Sequence, residues 1–192
     1  MIGTAIATIL VFVIAQLIVS QYRDESRVDD NDATRSVEVD IGGYTYRLVL
    51  TSAVSASTQN TLDNAVLDRL VWLRCCGRGI AAYMRDDAAM HVLATCIIAE
   101  SASAVGKTVD KGRVISICIR DKDTGVLFNS HNTLFVFLHE VAHAITTSVN
   151  HTMEFRRNFD RILNSASALG LYDATRLPSI HCGKEILPPP PM

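Results

Sequence analysis

No proline occurs before Pro178 in this 192-residue chain, no lysine or arginine precedes Arg23, and no two cysteines stand in a CxxC pair. Each absence excludes something. Without proline, nothing in the first 177 residues forbids long helices, and Pro188 to Pro191 form only a short extended tail. Without a basic excess, at net charge −2 and pI near 6.3, the chain carries no electrostatic footprint for nucleic acid. The five cysteines (Cys75, Cys76, Cys96, Cys118 and Cys182) leave an odd count. They read as buried thiols of a reducing compartment, or as at most one or two bridges. No internal repeat is present, and the length suits one compact domain plus one hydrophobic extension.

That extension is the first feature present. Ile2 to Val19 holds no charged residue and approaches the roughly 20 residues that a bilayer span requires. A transmembrane helix is expected, in preference to a cleaved signal, because a positive n-region and an A-x-A-like site are both missing. Arg23 and Arg27 follow the span, so the positive-inside tendency predicts a single-pass protein with a cytosolic C-terminal domain. Residues 2–20 would contact membrane lipid, and the charged, aperiodic stretch that follows would be a tether.

Further along, Val37, Val39 and Ile41 alternate with Glu38 and Asp40 before Gly42-Gly43, and Tyr44 to Leu50 is again β-rich, which predicts a hairpin. Leu62, Val66, Leu70 and Leu73 predict a helix over about 58–75, broken by Gly77 and Gly79, then a short second helix near 79–85. Residues 88–99 are apolar without a decisive period and lean towards helix. The alternation of Ile115, Ile117 and Ile119 against Ser116, Cys118 and Arg120 predicts a half-buried strand, with an edge strand starting at Val126 to Phe128. Asn132 is the expected N-cap of a helix running to about Thr147, apolar on nearly all sides. Another helix should start near Thr152, with Phe155, Phe159, Ile162, Leu163 and Ala166 as its stripe and Gly170 as its stop.

The apolar helix carries His139-Glu140-Val141-Ala142-His143, the HExxH pattern. Four-residue spacing stacks both imidazoles on one face, within reach of one tetrahedral ion, with Glu140 placed to act as a base. With six His and six Glu in the chain, a shuffled sequence shows HExxH with a probability of about 0.006. His139, Glu140 and His143 are also the only ionisable groups of that stretch, where an unpaired carboxylate would be costly and a metal resolves the cost. A third ligand is needed. His151, beyond the polar Thr146 to Asn150, and Glu154, in the first turn of the next helix, are the two candidates. His91 and His131 read as ordinary histidines, while His181 could fold back to stabilise an oxyanion.

The runs TVDKGRVISICIRDKDTG, LFVFLHEVAHAIT, NHTMEFRRNFDRIL and HCGKEI together resemble the WLM-type zinc metallopeptidase-like proteins, especially those of large nucleocytoplasmic DNA viruses. The likeness covers roughly residues 60–187. It implies an α+β zincin-like domain with a small antiparallel or mixed sheet, Zn2+ on His139, His143 and His151, and Glu140 as base. His181 departs from the tyrosine expected before Cys-Gly, which puts the oxyanion role of that position in question. Cellular members act on DNA–protein crosslinks, and a membrane anchor and an acidic chain argue against that task here. The expected organisation is an anchor over 1–22, a tether over 23–36, the zincin-like domain over 37–187 and a proline tail over 188–192. The expected function is membrane-anchored hydrolysis of a protein or peptide substrate, in a virion or at a host internal membrane. The alternative is a structural virion protein, associated with membrane or capsid proteins, that keeps the scaffold with little catalysis.

Overall fold

A computed structural model of the chain describes residues 36–50, 56–121, 123–176 and 178–186. Strands β1 (Ser36–Ile41) and β2 (Tyr44–Val49) form the expected antiparallel hairpin, with Ile41 opposite Tyr44 and Val39 opposite Tyr46. Its two-residue turn needs positive φ at both positions, and Gly42 and Gly43 supply +58° and +79° without a Cβ penalty. Three further strands, β3 (Ile97–Glu100), β4 (Gly106–Val109) and β5 (Val114–Ile117), complete a mixed sheet in the order β1-β2-β3-β5-β4. β3 runs parallel to β2 and β5, and β4 is antiparallel to β5 at the edge. The parallel β2–β3 pair requires a long crossover, which two helices provide.

The first, α1 (Ala56–Met84), is one continuous helix where the glycines predicted a break. Gly77 is closely approached: a Cβ there would sit 2.9 Å from the Phe137 ring and 3.1 Å from Leu93. A helical glycine costs about 1 kcal/mol relative to alanine, and close packing against buried Phe137 and Leu93 offsets it. Asp86 caps α2 (Asp87–Thr95) by accepting from Ala89 N, and Cys96 turns extended before β3. The stretch expected to lean towards helix over 88–99 is therefore helix up to Thr95 and strand from Ile97. Beyond β5, Cys118 and Arg120 are as buried as Ile119, so the predicted alternation stops at Ile117, and the expected edge strand at 126–128 is a single bridge between Arg120 and Leu127.

Helix α3 (Ser130–Ile145) is capped by Asn129, not Asn132, whose amide is buried inside the helix and donates to Ser179 Oγ and Ile180 O. Helix α4 (Met153–Ala168) begins as expected, with Thr152 Oγ1 accepting from Phe155 N, and Gly170 follows its end at φ +68°. A short hairpin, β6 (Ile180–His181) and β7 (Lys184–Glu185), is tied to the end of β5 by a Cys118–Cys182 disulfide; Cys75, Cys76 and Cys96 are free thiols. The core lies where α1 and α3 meet the sheet and α4 packs on both helices, around Leu70, Leu73, Ile98, Ile115, Phe135, Phe137 and Phe159. Two buried arginines are satisfied within it. Arg74 donates to Tyr46 Oη and to the carbonyls of Leu93 and Cys96, and Arg120 pairs with Glu100 at 2.8 Å.

The architecture is α+β, and the expected membrane-spanning helix is corrected: among the described residues no helix is long and apolar enough to cross a membrane. The longest, α1, carries Asp63, Asp68, Arg69, Arg74 and Arg78. The expectation of a single-pass protein with a cytosolic C-terminal domain is corrected with it. The anchor expected over 1–22, the tether before Ser36 and the tail over 188–192 lie outside the described residues.

Candidate metal centre

One turn of α3 separates His139 from His143, and both rings project from the one side of this helix that is not fully covered. Behind them Phe137, Leu138, Val141 and Ala142 are buried, so the imidazoles cannot rotate away without disturbing packed neighbours. The chain then leaves α3 at Thr146 in an extended conformation and reverses over Thr147 to Asn150, with Asn150 at φ +70°. That reversal returns His151 to the same point. His143 Nε2 lies 3.1 Å from both His139 Nε2 and His151 Nε2, and His139 and His151 are 3.0 Å apart.

The triad His139, His143 and His151 could hold a metal ion. Two nitrogens bound at about 2.0–2.1 Å to one tetrahedral ion stand roughly 3.3 Å apart, close to the spacing observed. Neutral imidazole offers one acceptor nitrogen and one N–H, so three Nε2 atoms meeting in one place cannot all satisfy one another; a shared cation can satisfy all three. Protonation is also opposed. Burial, and then the neighbouring His143 and His151, lower the pKa of His139 to about 3; burial, His151 and Lys111 lower that of His143 to about 4. Both are thus neutral and ligand-competent at ordinary pH. Phe155, from the first turns of α4, forms the wall behind the group: its ring stacks on His143 at 4.2 Å between centroids and lies 4.8 and 4.9 Å from His151 and His139.

Glu154, the other candidate ligand, is turned elsewhere. Its carboxylate accepts from Thr147 N, Ser148 N and Ser148 Oγ at 2.8 to 3.1 Å, which fastens the reversal that presents His151 and holds the carboxyl down at about 2. Glu140 stands beside the triad, 7 % exposed, with Thr108 of β4 as its hydrogen-bonding partner. Burial raises its pKa to about 7 against the opposing effect of the Thr108 hydrogen bonds. Gly106, also on β4, faces it so closely that a Cβ there would lie 2.7 Å from Glu140 Oε1. Gly106, Thr108, Asp110, Lys111, His139, Glu140, His143 and the 148–151 loop line an open cavity of about 730 Å3.

His181 is not part of this cavity, and its expected oxyanion role is corrected: the ring is buried, packs on Phe128 and bonds Cys118 O at 2.9 Å through Nε2. His131 stacks on Tyr172 and bonds Arg176 O, and His91 is exposed on α2, as ordinary histidines do. Sequence reading missed Thr108, Gly106, Lys111 and Phe155. Thr108, Lys111 and Phe155 lie inside the runs that carried the family resemblance, but nothing local marks any of the four as facing α3's histidines or Glu140.

No family model and no solved structure matches the chain. It is similar to an uncharacterized protein of Invertebrate iridescent virus 6, 38% identical over 71 residues, which covers 36% of this chain and 39% of the relative. A second uncharacterized protein, from Acanthamoeba polyphaga mimivirus, is 33% identical over 79 residues, 40% of each chain. A third, from Invertebrate iridescent virus 3, is 33% identical over 61 residues, 32% of this chain and 38% of the relative. The chain spans about two fifths of the length of these curated relatives.

Proposed function

We propose that the chain is a zinc-dependent metallopeptidase of the HExxH type, related to the WLM-like proteins, with Glu140 as its general base. The observation that carries this reading is the convergence of three imidazoles beside a buried carboxylate in an open cavity. Three ligands are the number a catalytic site offers, since a structural zinc site closes with four, and no fourth His, Cys, Asp or Glu joins the group among the described residues. An all-imidazole set suits zinc well, although nitrogen ligands alone also accept other divalent transition metals.

Zinc held there would polarise a substrate carbonyl and lower the pKa of a water to about 7. Glu140, next in the chain to a ligand, is placed to take that proton, and a carboxyl tuned near neutrality can return it to the leaving amine. Thr108 holds Glu140 in place, and β4 leaves one edge of the sheet unpaired along the cavity. An extended peptide can add to such an edge by main-chain hydrogen bonds. The tests are metal content and peptide cleavage by the full chain beside Glu140→Ala. The variant should keep stoichiometric zinc and lose about 100- to 10,000-fold in cleavage, the usual range for a general base. Zinc bound at one per chain with no cleavage of any protein tested would favour the alternative, a virion protein that keeps the domain as a scaffold.

A further inference from the structure

Between β4 and β5 the chain passes through three consecutive residues of positive φ: Asp110 at +48°, Lys111 at +52° and Gly112 at +91°. Two adjacent non-glycine residues in the left-handed region are strained, and such strain persists only where the surroundings impose it. Here they do. A Cβ on Gly112 would lie 2.7 Å from Ala144 Cβ, so the loop is pressed against the end of α3, and Arg113 binds Asp110 through Nε and Nη2. The strained loop carries the Lys111 ammonium to the carbonyls of Thr146 and Thr147, at 3.0 Å each, where it lines the cavity.

Capping a helix C-terminus is an ordinary use of lysine, but it leaves the charge itself unmatched. No carboxylate is paired with Lys111 among the described residues, its ammonium keeps a third hydrogen, and Asp110, the other charged residue of the loop to line the cavity, is already held by Arg113. The cavity is therefore lined both by Glu140 and by an ammonium with no carboxylate partner among the described residues.

We propose that Lys111 is a specificity-determining residue that selects substrates bearing a carboxylate that reaches its ammonium in the cavity. This rests on the peptidase reading for its substrate class, but its binding test does not need turnover. Two sources can present the group, an aspartate or glutamate side chain and a C-terminal carboxylate. The full chain carrying Glu140→Ala, with and without added zinc, is titrated with short peptides in which Asp is scanned against Asn at each position. Each peptide is prepared with a free and with an amidated C-terminus. The expected result is an acidic-over-neutral affinity ratio of about five- to tenfold at one position. The ratio should be lost in Lys111→Met, kept in Lys111→Arg and reversed in Lys111→Glu. A ratio cancels any loss of folded protein, so a lysine that merely caps α3 would leave it unmoved. Absence of binding, an absent preference, or a preference surviving Lys111→Met overturns the assignment. A Lys111-dependent preference in a wild-type chain that cleaves nothing overturns the peptidase reading alone.

Discussion

Thr108 and Glu140 are joined twice: the threonine Oγ1 lies 2.8 Å from the carboxylate Oε2 and 2.9 Å from the carbonyl oxygen of the same residue. A hydroxyl on the sheet edge thus orients the carboxylate proposed as the base and stabilises its ionised form. Thr108→Val removes that support, so the carboxyl should rise above the value of about 7 that burial already imposes. The acid limb of the pH–rate profile should then move to higher pH, with zinc content unchanged. An unmoved limb would mean that Thr108 does not tune the group limiting the rate.

Gly106 is constrained by space and not by backbone conformation. A methyl group there meets Glu140 Oε1 at 2.7 Å and Val136 Cγ1 at 2.8 Å. Val136 is buried and has little room to yield, so Gly106→Ala should displace the carboxylate. A displacement of about 1 Å at the reacting group can cost on the order of 100-fold in rate. Cleavage assays beside zinc analysis check this, and loss of zinc together with activity would place the damage at the imidazoles instead.

The proposed third ligand, His151, can be separated from its support. His151→Ala should abolish stoichiometric zinc binding, measured by metal analysis after dialysis. Glu154→Ala should weaken zinc only partly, because it frees the Thr147–Ser148 reversal while leaving all three imidazoles in the chain. Zinc lost with Glu154→Ala and retained with His151→Ala would reverse the assignment.

Metal-free protein should lose stability on acidification. His139 and His143 have folded pKa values of about 3 and about 4 against about 6.5 unfolded, so below pH 6.5 the unfolded chain takes up protons that the folded chain refuses. Their contribution is complete above pH 6.5 and is lost as pH falls through the folded values. Glu140 acts in the opposite sense. Its carboxyl is raised from 4.5 to about 7, so its contribution is complete below pH 4.5 and is lost as pH rises through 7. Between pH 4.5 and 6.5 the two partly cancel, and the histidines outnumber the glutamate. The Tm of the metal-free chain should therefore fall modestly over that window, and more steeply in Glu140→Gln. A shallower fall in the variant would contradict this balance.

Some features were legible because they depend on a few neighbouring residues. The Gly42-Gly43 turn, the Thr152 cap and the common face of His139 and His143 each follow from local φ preferences, one hydrogen bond or the helical period. Others misled for the same reason. Gly77 carries a helix-breaking signal, yet Phe137, sixty residues away, packs into the space its missing side chain leaves. Asn132 carries a cap signal in sequence, but its amide is drawn to the 179–180 segment and Asn129 caps α3 instead.

By itself the amino-acid sequence determined the α+β class, the HExxH helix with two histidines on one face, the start and stop of the helix after it, and a short choice between His151 and Glu154. Only the tertiary structure selected His151, turned Glu154 into the fastening of its loop, buried His181 against Cys118, and brought Gly106, Thr108 and Lys111 alongside α3. The physical reason is range. Periodicity and capping act over about one helical turn, whereas the direction of a polar side chain is set by which distant surface is there to satisfy it.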